Sequence, residues 1–303
     1  LANLITALAP NYAIYIISRA IAGLGAGIFS PIAVSSSSHL VSKKHKGKAI
    51  AFTVGGMSVG TVVGVPLGLE VSKYTNWRFS ILIIVLIGLI GLMSILKYLP
   101  RFKVQAPPNL KSRFKLFLDK HVLSVVFVTL CAAIASLGLY TYLADIIKES
   151  GNTEYLTCYL TAWDVGGLIG SFGIGFLIDK FKNPAVLMLI ILFALALSFA
   201  LLNVTIQVPF LNFIPFILWG AMGWATQAPQ QHILLQNHAN HGGAAVALNS
   251  SINYLGSALG SALGGIILLK FINTNMLIYS AIIITVIGIM LQIMNITIDR
   301  KNN

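Results

Sequence analysis

The sequence predicts an all-α polytopic membrane protein made of two pseudo-symmetric helix bundles, with nine full crossings and one partial crossing. Three observations predict it. The 303 residues are 57% hydrophobic and only 9% charged, with a mean hydropathy of +0.86, which is outside the range of soluble domains. Uncharged apolar runs of about 18 or more residues recur along the chain, long enough to cross a hydrocarbon core of about 30 Å at 1.5 Å per residue. A shift of 196 residues superposes Gly47 on Gly243, Gly60 on Gly256, Gly64 on Gly260 and Gly68 on Gly264, an internal repeat that implies two related halves.

The elements follow in order. The first run, residues 1–9, has about half the length needed to span, and the chain starts at Leu1; the expectation is a protein whose amino-terminal end is missing. Full crossings are expected at 12–36, 46–71 and 78–99, which with the partial one form residues 1–99, the remainder of a first six-helix bundle. Residues 100–120 form a basic, proline-containing linker. Crossings at 121–147, 155–178, 184–203, 210–233, 242–269 and 274–297 make up the second bundle, 121–298, and 299–303 is a tail.

The distribution of charge tests this topology. Fifteen Lys and Arg residues fall on one set of alternate connectors, including Lys43, Lys44, Arg101, Lys103, Arg113, Lys180 and Arg300. Lys73, Arg78, Lys148 and Lys270 fall on the other set, and Arg19 lies inside a crossing, which accounts for all 20. The bias places the basic loops and the carboxyl terminus in the cytoplasm of a multi-pass cell-membrane protein.

The same placement explains the formal charge of +12 without nucleic acid, because the basic residues form no aromatic-interleaved patch. Cys131 and Cys158 make no CxxC or Cys/His ligand spacing, and the six histidines have no HExxH arrangement, so neither a disulfide framework nor a metal site is expected. No GxxxxGK[ST] occurs, which argues against ATP as the direct energy source.

The stretch "GGMSVGTVVGVPLG" carries glycine at 56, 60, 64 and 68 and proline at 66. In water each interior glycine would weaken a helix by roughly 0.5 to 1 kcal/mol relative to alanine. In a bilayer, glycines four apart form a ridge that lets another backbone approach closely, and close packing is what joins helices there.

Several of these stretches together resemble the major facilitator superfamily, and within it the drug/proton antiporter branch of sugar, nucleoside and chloramphenicol efflux permeases. "RAIAGLGAG" (19–27) resembles that branch's fourth-helix pattern, and "GTVVGVPLG" its fifth-helix antiporter motif, with the proline one place later than usual. "GFLIDKFKN" (175–183) resembles the gating-loop motif, carried here by Gly175, Asp179 and Lys180, with lysine where the family has arginine. "ALNSSINYLGSALGSALGG" (247–265) is similar to the eleventh helix. The resemblance implies proton-coupled efflux and a coupling role for Arg19.

Arg19 stands about 12 Å below the outer end of its helix, where an arginine costs at least roughly 2.5 to 3.5 kcal/mol unless paired or hydrated. The alternative is that it snorkels to the interface. Asp164, in "LTAWDVGG", is the other proton-coupling candidate; its alternative role is a structural partner for Arg19 or another polar group. Asn249 and Asn253 share a stripe of about 80° with Gly256, Gly260 and Gly264, suited to interhelical hydrogen bonds or to substrate. Trp224, Gln227 and Gln230, with Trp219 and a kink expected at Pro229, are the remaining substrate-cavity candidates, Trp219 having lipid as its alternative surroundings.

The resulting reading is a secondary active transporter that exports a small molecule such as a drug, sugar or nucleoside in exchange for protons, by alternating access. Its expected partners are the small molecule, protons and membrane lipid, with no nucleic acid; it is expected to be a monomer, not an enzyme, and to need no cofactor beyond the proton gradient. An intramembrane enzyme, a channel and a proton-coupled importer of the same fold are the alternatives.

Overall fold

The computed structural model describes residues 1–40, 42, 46–100, 118–180, 183–208, 210–237, 242–271 and 273–302. Among them every regular element is helical. Helix starts are written in short polar side chains that accept free backbone N–H groups. Asn11 accepts from Ile14, Asn76 from Arg78, Asp119 from His121 and Val122, and Asn183 from Ala185 and Val186. The chain divides into two compact units, Leu1–Gln105 and Ala106–Asn303; of the expected linker, 100–120, residues 101–117 lie outside the described ones and Lys120 already starts a helix.

In the first unit, α1 (Ala2–Leu8) packs against α2 (Tyr12–His39) and α4 (Trp77–Tyr98), and α3 (Lys46–Tyr74) packs against α2 and α4. Polar contacts join them. Thr6 and Ser18 hydroxyls are 2.8 Å apart, and Ser80 donates to the Gly68 carbonyl at 2.7 Å. Arg78 donates to the carbonyls of Ala7 and Ala9 at 2.7 and 2.8 Å, where the end of α1 leaves acceptors unsatisfied and its dipole favours a cation. Among the described residues of this unit only Thr6, Ala7, Ala9 and Ser18 are buried.

The second unit comprises α5 (Lys120–Tyr140), α6 (Leu143–Glu149), a 3-10 turn (Thr153–Tyr155), α7 (Leu156–Lys180), α8 (Pro184–Thr205), α9 (Phe213–Ala225), α10 (Gln227–Asn237), α11 (Gly242–Phe271) and α12 (Asn275–Asn302). α5 packs against α11 and α12, α8 against α12 and α9, and α9 against α7. Val128, Ala132, Met188, Leu192 and Ile289 fill the space between α5, α8 and α12.

Six helices among the described residues are long and apolar enough to cross a membrane: Tyr12–Ser30, Trp77–Tyr98, Lys120–Tyr140, Pro184–Thr205, Ala244–Phe271 and Asn275–Ile298. Each falls on an expected crossing. α3 and α7, at 29 and 25 residues, also have the length of a crossing.

Two expected crossings are broken helices. The run 210–233 ends one helix at Ala225 and starts the next at Gln227. The expected kink at Pro229 is thus four residues early, because a proline ring clashes with the carbonyl of residue i−4, here Ala225, while Pro229 itself sits in a first turn that needs no donor. The run 121–147 breaks after Tyr140 without proline or glycine. Here Thr141 bonds to the Ser261 hydroxyl at 2.7 Å and Tyr142 donates its phenol to the Ser261 carbonyl, so α11 turns the chain.

Candidate functional site

The site of the second unit is built on a close crossing of α7 and α9. A Cβ on Gly166 would collide with the Ile217 carbonyl, one on Gly170 with the Ala221 carbonyl, and one on Gly220 with the Trp163 carbonyl. Small residues at these three positions let the backbones touch, and this sets Trp163, Asp164 and Gly167 beside Trp219 and Trp224.

The aromatic rings then interlock. Trp163 stacks on Tyr140 of α5 at 4.1 Å and meets Trp219 and Trp224 edge-on at 6.1 and 6.3 Å. Trp219 is fully buried and donates its indole N–H to Ser136 Oγ at 2.9 Å, so it is a core residue and lipid is not its surroundings. The pyrrole edge of Trp224 occupies the space above Gly167, 2.7 Å from where a Cβ would stand.

Asp164 lies among these rings, 2% exposed, and neither carboxylate oxygen has a hydrogen-bond partner among the described residues. The Tyr140 hydroxyl and the indole N–H groups of Trp163 and Trp224 are unpartnered as well. Such groups normally find partners, since an unsatisfied buried polar atom costs about 1 to 3 kcal/mol. The described Lys and Arg residues of the unit, Lys120, Lys148, Lys180, Lys270, Arg300 and Lys301, all stand in the first or last turn of a helix. Asp164 therefore has no hydrogen-bonded basic partner among the described residues of its unit.

A second polar group joins α5, α10 and α11. Thr129 donates to Asn249 Oδ1 at 2.7 Å, Gln227 Nε2 to Asn253 Oδ1 at 2.7 Å, and Gln230 Nε2 to the Val125 carbonyl at 3.2 Å. The four amides singled out in the sequence are thus brought together as links between helices, with Asn249 Nδ2 and Gln230 Oε1 left unpartnered. On the same α11 face, Gly256, Gly260 and Gly264 are covered by Ala133, by Ile134 with Gly138, and by Tyr142.

In the first unit, Arg19 donates to Asn3 Oδ1 at 3.2 Å and is exposed. Among the described residues of their own unit, Gly56, Gly60 and Gly64 have no neighbour within 4 Å of where a Cβ would stand, and Gly68 has Ser80 at 3.8 Å; α3 runs unbroken through Pro66. Gly175 is exposed near the end of α7, while the side chains of Asp179 and Lys180 lie outside the described set. Among the described residues no group of three or more His, Cys, Asp or Glu is placed to hold a metal ion. Tyr140, Trp163, Ser136 and Thr129 are the site residues that sequence reasoning missed; Trp163, adjacent to the one acidic residue of its helix interior, was the available signal.

Known proteins fit this architecture. Residues 1–261 match the family model described as the Major Facilitator Superfamily. The chain is 28% identical over 273 residues to the inner membrane transport protein YdhP of Escherichia coli, covering 88% of this chain and 69% of YdhP. It is 29% identical over 276 residues to the MFS-type transporter YfhI of Bacillus subtilis, covering 88% and 68%. Among solved structures, the E. coli fucose:proton symporter FucP matches with a TM-score of 0.64 over 97% of this chain and 81% of FucP, at 13% identity, a likeness of fold alone. An all-helical chain with glycine-mediated crossings, buried intramembrane polar residues and these relatives is a transport protein rather than an enzyme, and it belongs to the Major Facilitator Superfamily.

Proposed function

We propose that this transporter couples the export of a small molecule to the entry of protons, by alternating access and with the proton gradient as its energy source. The observation that carries the reading is Asp164, a carboxylate buried beside aromatic rings whose oxygens have no hydrogen-bond partner among the described residues. An acidic group held in apolar surroundings can exist neutral or charged, and exchanging those states as access alternates moves a proton. Arg19, inside the α2 span, is assigned the second charge of the coupling machinery. Substrate contacts are assigned to Trp224, Gln227, Gln230, Asn249 and Asn253 on the facing helices.

In this reading α5 with α6, and α9 with α10, each form one crossing, giving nine full crossings and one partial one. The basic connectors face the cytoplasm of a plasma-membrane protein that acts as a monomer without a cofactor. Vesicles containing the purified chain, loaded with labelled drug, sugar or nucleoside candidates, test it under an imposed proton gradient. Arg19→Gln is expected to abolish accumulation against a gradient more than it weakens substrate binding, and Asp164→Asn to flatten the pH dependence of transport. Wild-type pH profiles in both variants would remove these residues from the coupling mechanism.

A further inference from the structure

A cavity of about 90 Å³ lies between α5, α11 and α12 and shares no lining residue with Asp164, its rings or the interhelical amides. Gly138, Leu139 and Ala281 close its floor and are buried, while Leu263 on its lip is exposed and Ser280 and Ile284 are half-buried. α5 packs against both other helices, which meet each other far less, so the opening lies between α11 and α12.

The wall offers nothing to water. Tyr142 gives its hydroxyl hydrogen to the Ser261 carbonyl and Ser280 its own to the Leu277 carbonyl at 2.7 Å, so neither donates into the space. Buried water needs two to four polar partners, and an apolar cavity without them stays dry. In a bilayer, the fluid at the opening is hydrocarbon. Size then selects what enters: a ring such as benzene takes a cavity of about 150 Å³, whereas this one admits only a slim run of methylenes.

Depth and charge say which hydrocarbon. The α11 part of the wall runs from Gly260 to Ile267, about 6 to 16 Å below the helix end at Phe271, which is the depth of one leaflet's chains in a core of about 30 Å. Lys270 stands at that end, seven residues after Leu263 and so within about 20° of it around the helix. It is exposed and forms no ion pair among the described residues. Glu149 reaches the same turn, where its carboxylate accepts the Thr274 N–H at 2.9 Å.

We propose that this cavity seats one acyl chain of a membrane phospholipid whose phosphate binds Lys270, a single lipid held in place rather than one of the exchanging shell. The chain fills a space that water leaves empty, and a lysine at the interface attracts the phosphate at the end of its long stem. Tyr142 lines the cavity two residues after the end of α5, so the bound chain lies against the bend between α5 and α6.

The test uses the purified chain in detergent, titrated with phosphatidylglycerol that carries a diazirine partway along one acyl chain, with the adducts formed on illumination located by peptide mass. Adducts at 263–267 and 280–284 are expected to saturate near one lipid per chain. They should exceed several-fold those at Leu197, which is exposed on α8 about 12 Å from its Thr205 end. Lys270→Gln, a change at an exposed position, should raise the half-saturating concentration about fivefold. Ala281→Leu fills the floor and should abolish the cavity adducts while those at Leu197 persist. In the unaltered protein, unlabelled phosphatidylglycerol should displace the probe, and diacylglycerol, with the same chains and no phosphate, should do so only at several-fold higher concentration; this arm decides the matter if Ala281→Leu does not fold. Cavity adducts no denser than those at Leu197, adducts that survive Ala281→Leu, or an unchanged midpoint in Lys270→Gln would overturn the proposal. Equal displacement by diacylglycerol would overturn it in favour of a site for any apolar chain.

Discussion

The glycine ridges of α3 and α11 share a spacing and, at a shift of 196 residues, a register, yet their surroundings are opposite. On α11, Gly260 lies against α5 so closely that a Cβ would stand 2.5 Å from the Ile134 carbonyl oxygen and 2.7 Å from the Gly138 Cα. On α3, no described residue of its own unit comes within 4 Å of the equivalent point on Gly64. A glycine ridge is therefore a capacity for close approach, and a partner with small residues of its own is needed to use it. α5 supplies Ala133 and Gly138 at the right heights.

Hydrogen bonds frame the filled ridge. Thr129 with Asn249 and Thr141 with Ser261 lie 12 residues apart on each helix, so α5 and α11 run parallel in a fixed register, pinned on either side of the Gly138–Gly260 contact. Beside the ridge of the first unit, Ser80 donates to the Gly68 carbonyl.

The largest effect that sharpens this contrast is expected from Gly260→Leu. Its side chain has no room against the α5 backbone, and overpacking of about 3 kcal/mol should lower the denaturant midpoint of the second unit or prevent its assembly. Unchanged stability would show that α5 and α11 separate easily.

A pair of identical substitutions gives the most direct comparison. Gly260→Ala should destabilise by about 1 to 2 kcal/mol through the same collision. Gly64→Ala should gain about 0.5 to 1 kcal/mol in local helix stability, because it meets no described residue of its unit and lowers the backbone freedom of the unfolded state. Equal costs at both sites, measured by sodium dodecyl sulfate titration in mixed micelles, would mean that the α3 ridge is covered.

A smaller change is expected from Thr129→Val, which removes one interhelical bond; such bonds average about 0.6 kcal/mol in a membrane. The loss should disappear in a background that already carries Asn249→Ala, and persistence there would show that Thr129 acts through packing instead.

The comparison also requires α3 and α11 to run in the same direction through the bilayer. Tyr74→Cys and Phe271→Cys, both at exposed helix ends, should react with an impermeant thiol reagent from the same, outer side in a Cys158→Ser background, with no effect on stability. Labelling from opposite sides would break the repeat as a structural statement.

The sequence alone determined the helical class, most helix limits and the family resemblance. Apolar runs of spanning length admit no other fold once water is excluded, and Asn11, Asn76, Asp119 and Asn183 announce helix starts by a local hydrogen bond that needs no distant residue. It also named Asp164 as unusual, since a charge inside a span is conspicuous in one dimension. Only the tertiary structure decided what surrounds these residues. That Trp219 is core, that the four amides link helices, that Tyr140 belongs with Asp164 from 24 positions away, and that α5 breaks at Thr141 all depend on contacts between distant segments. The physical reason is the same in each case. In an apolar solvent the pattern of hydrophobic residues does not say which helix face turns inward, so partners are chosen by backbone fit and by the few polar groups that must find one another.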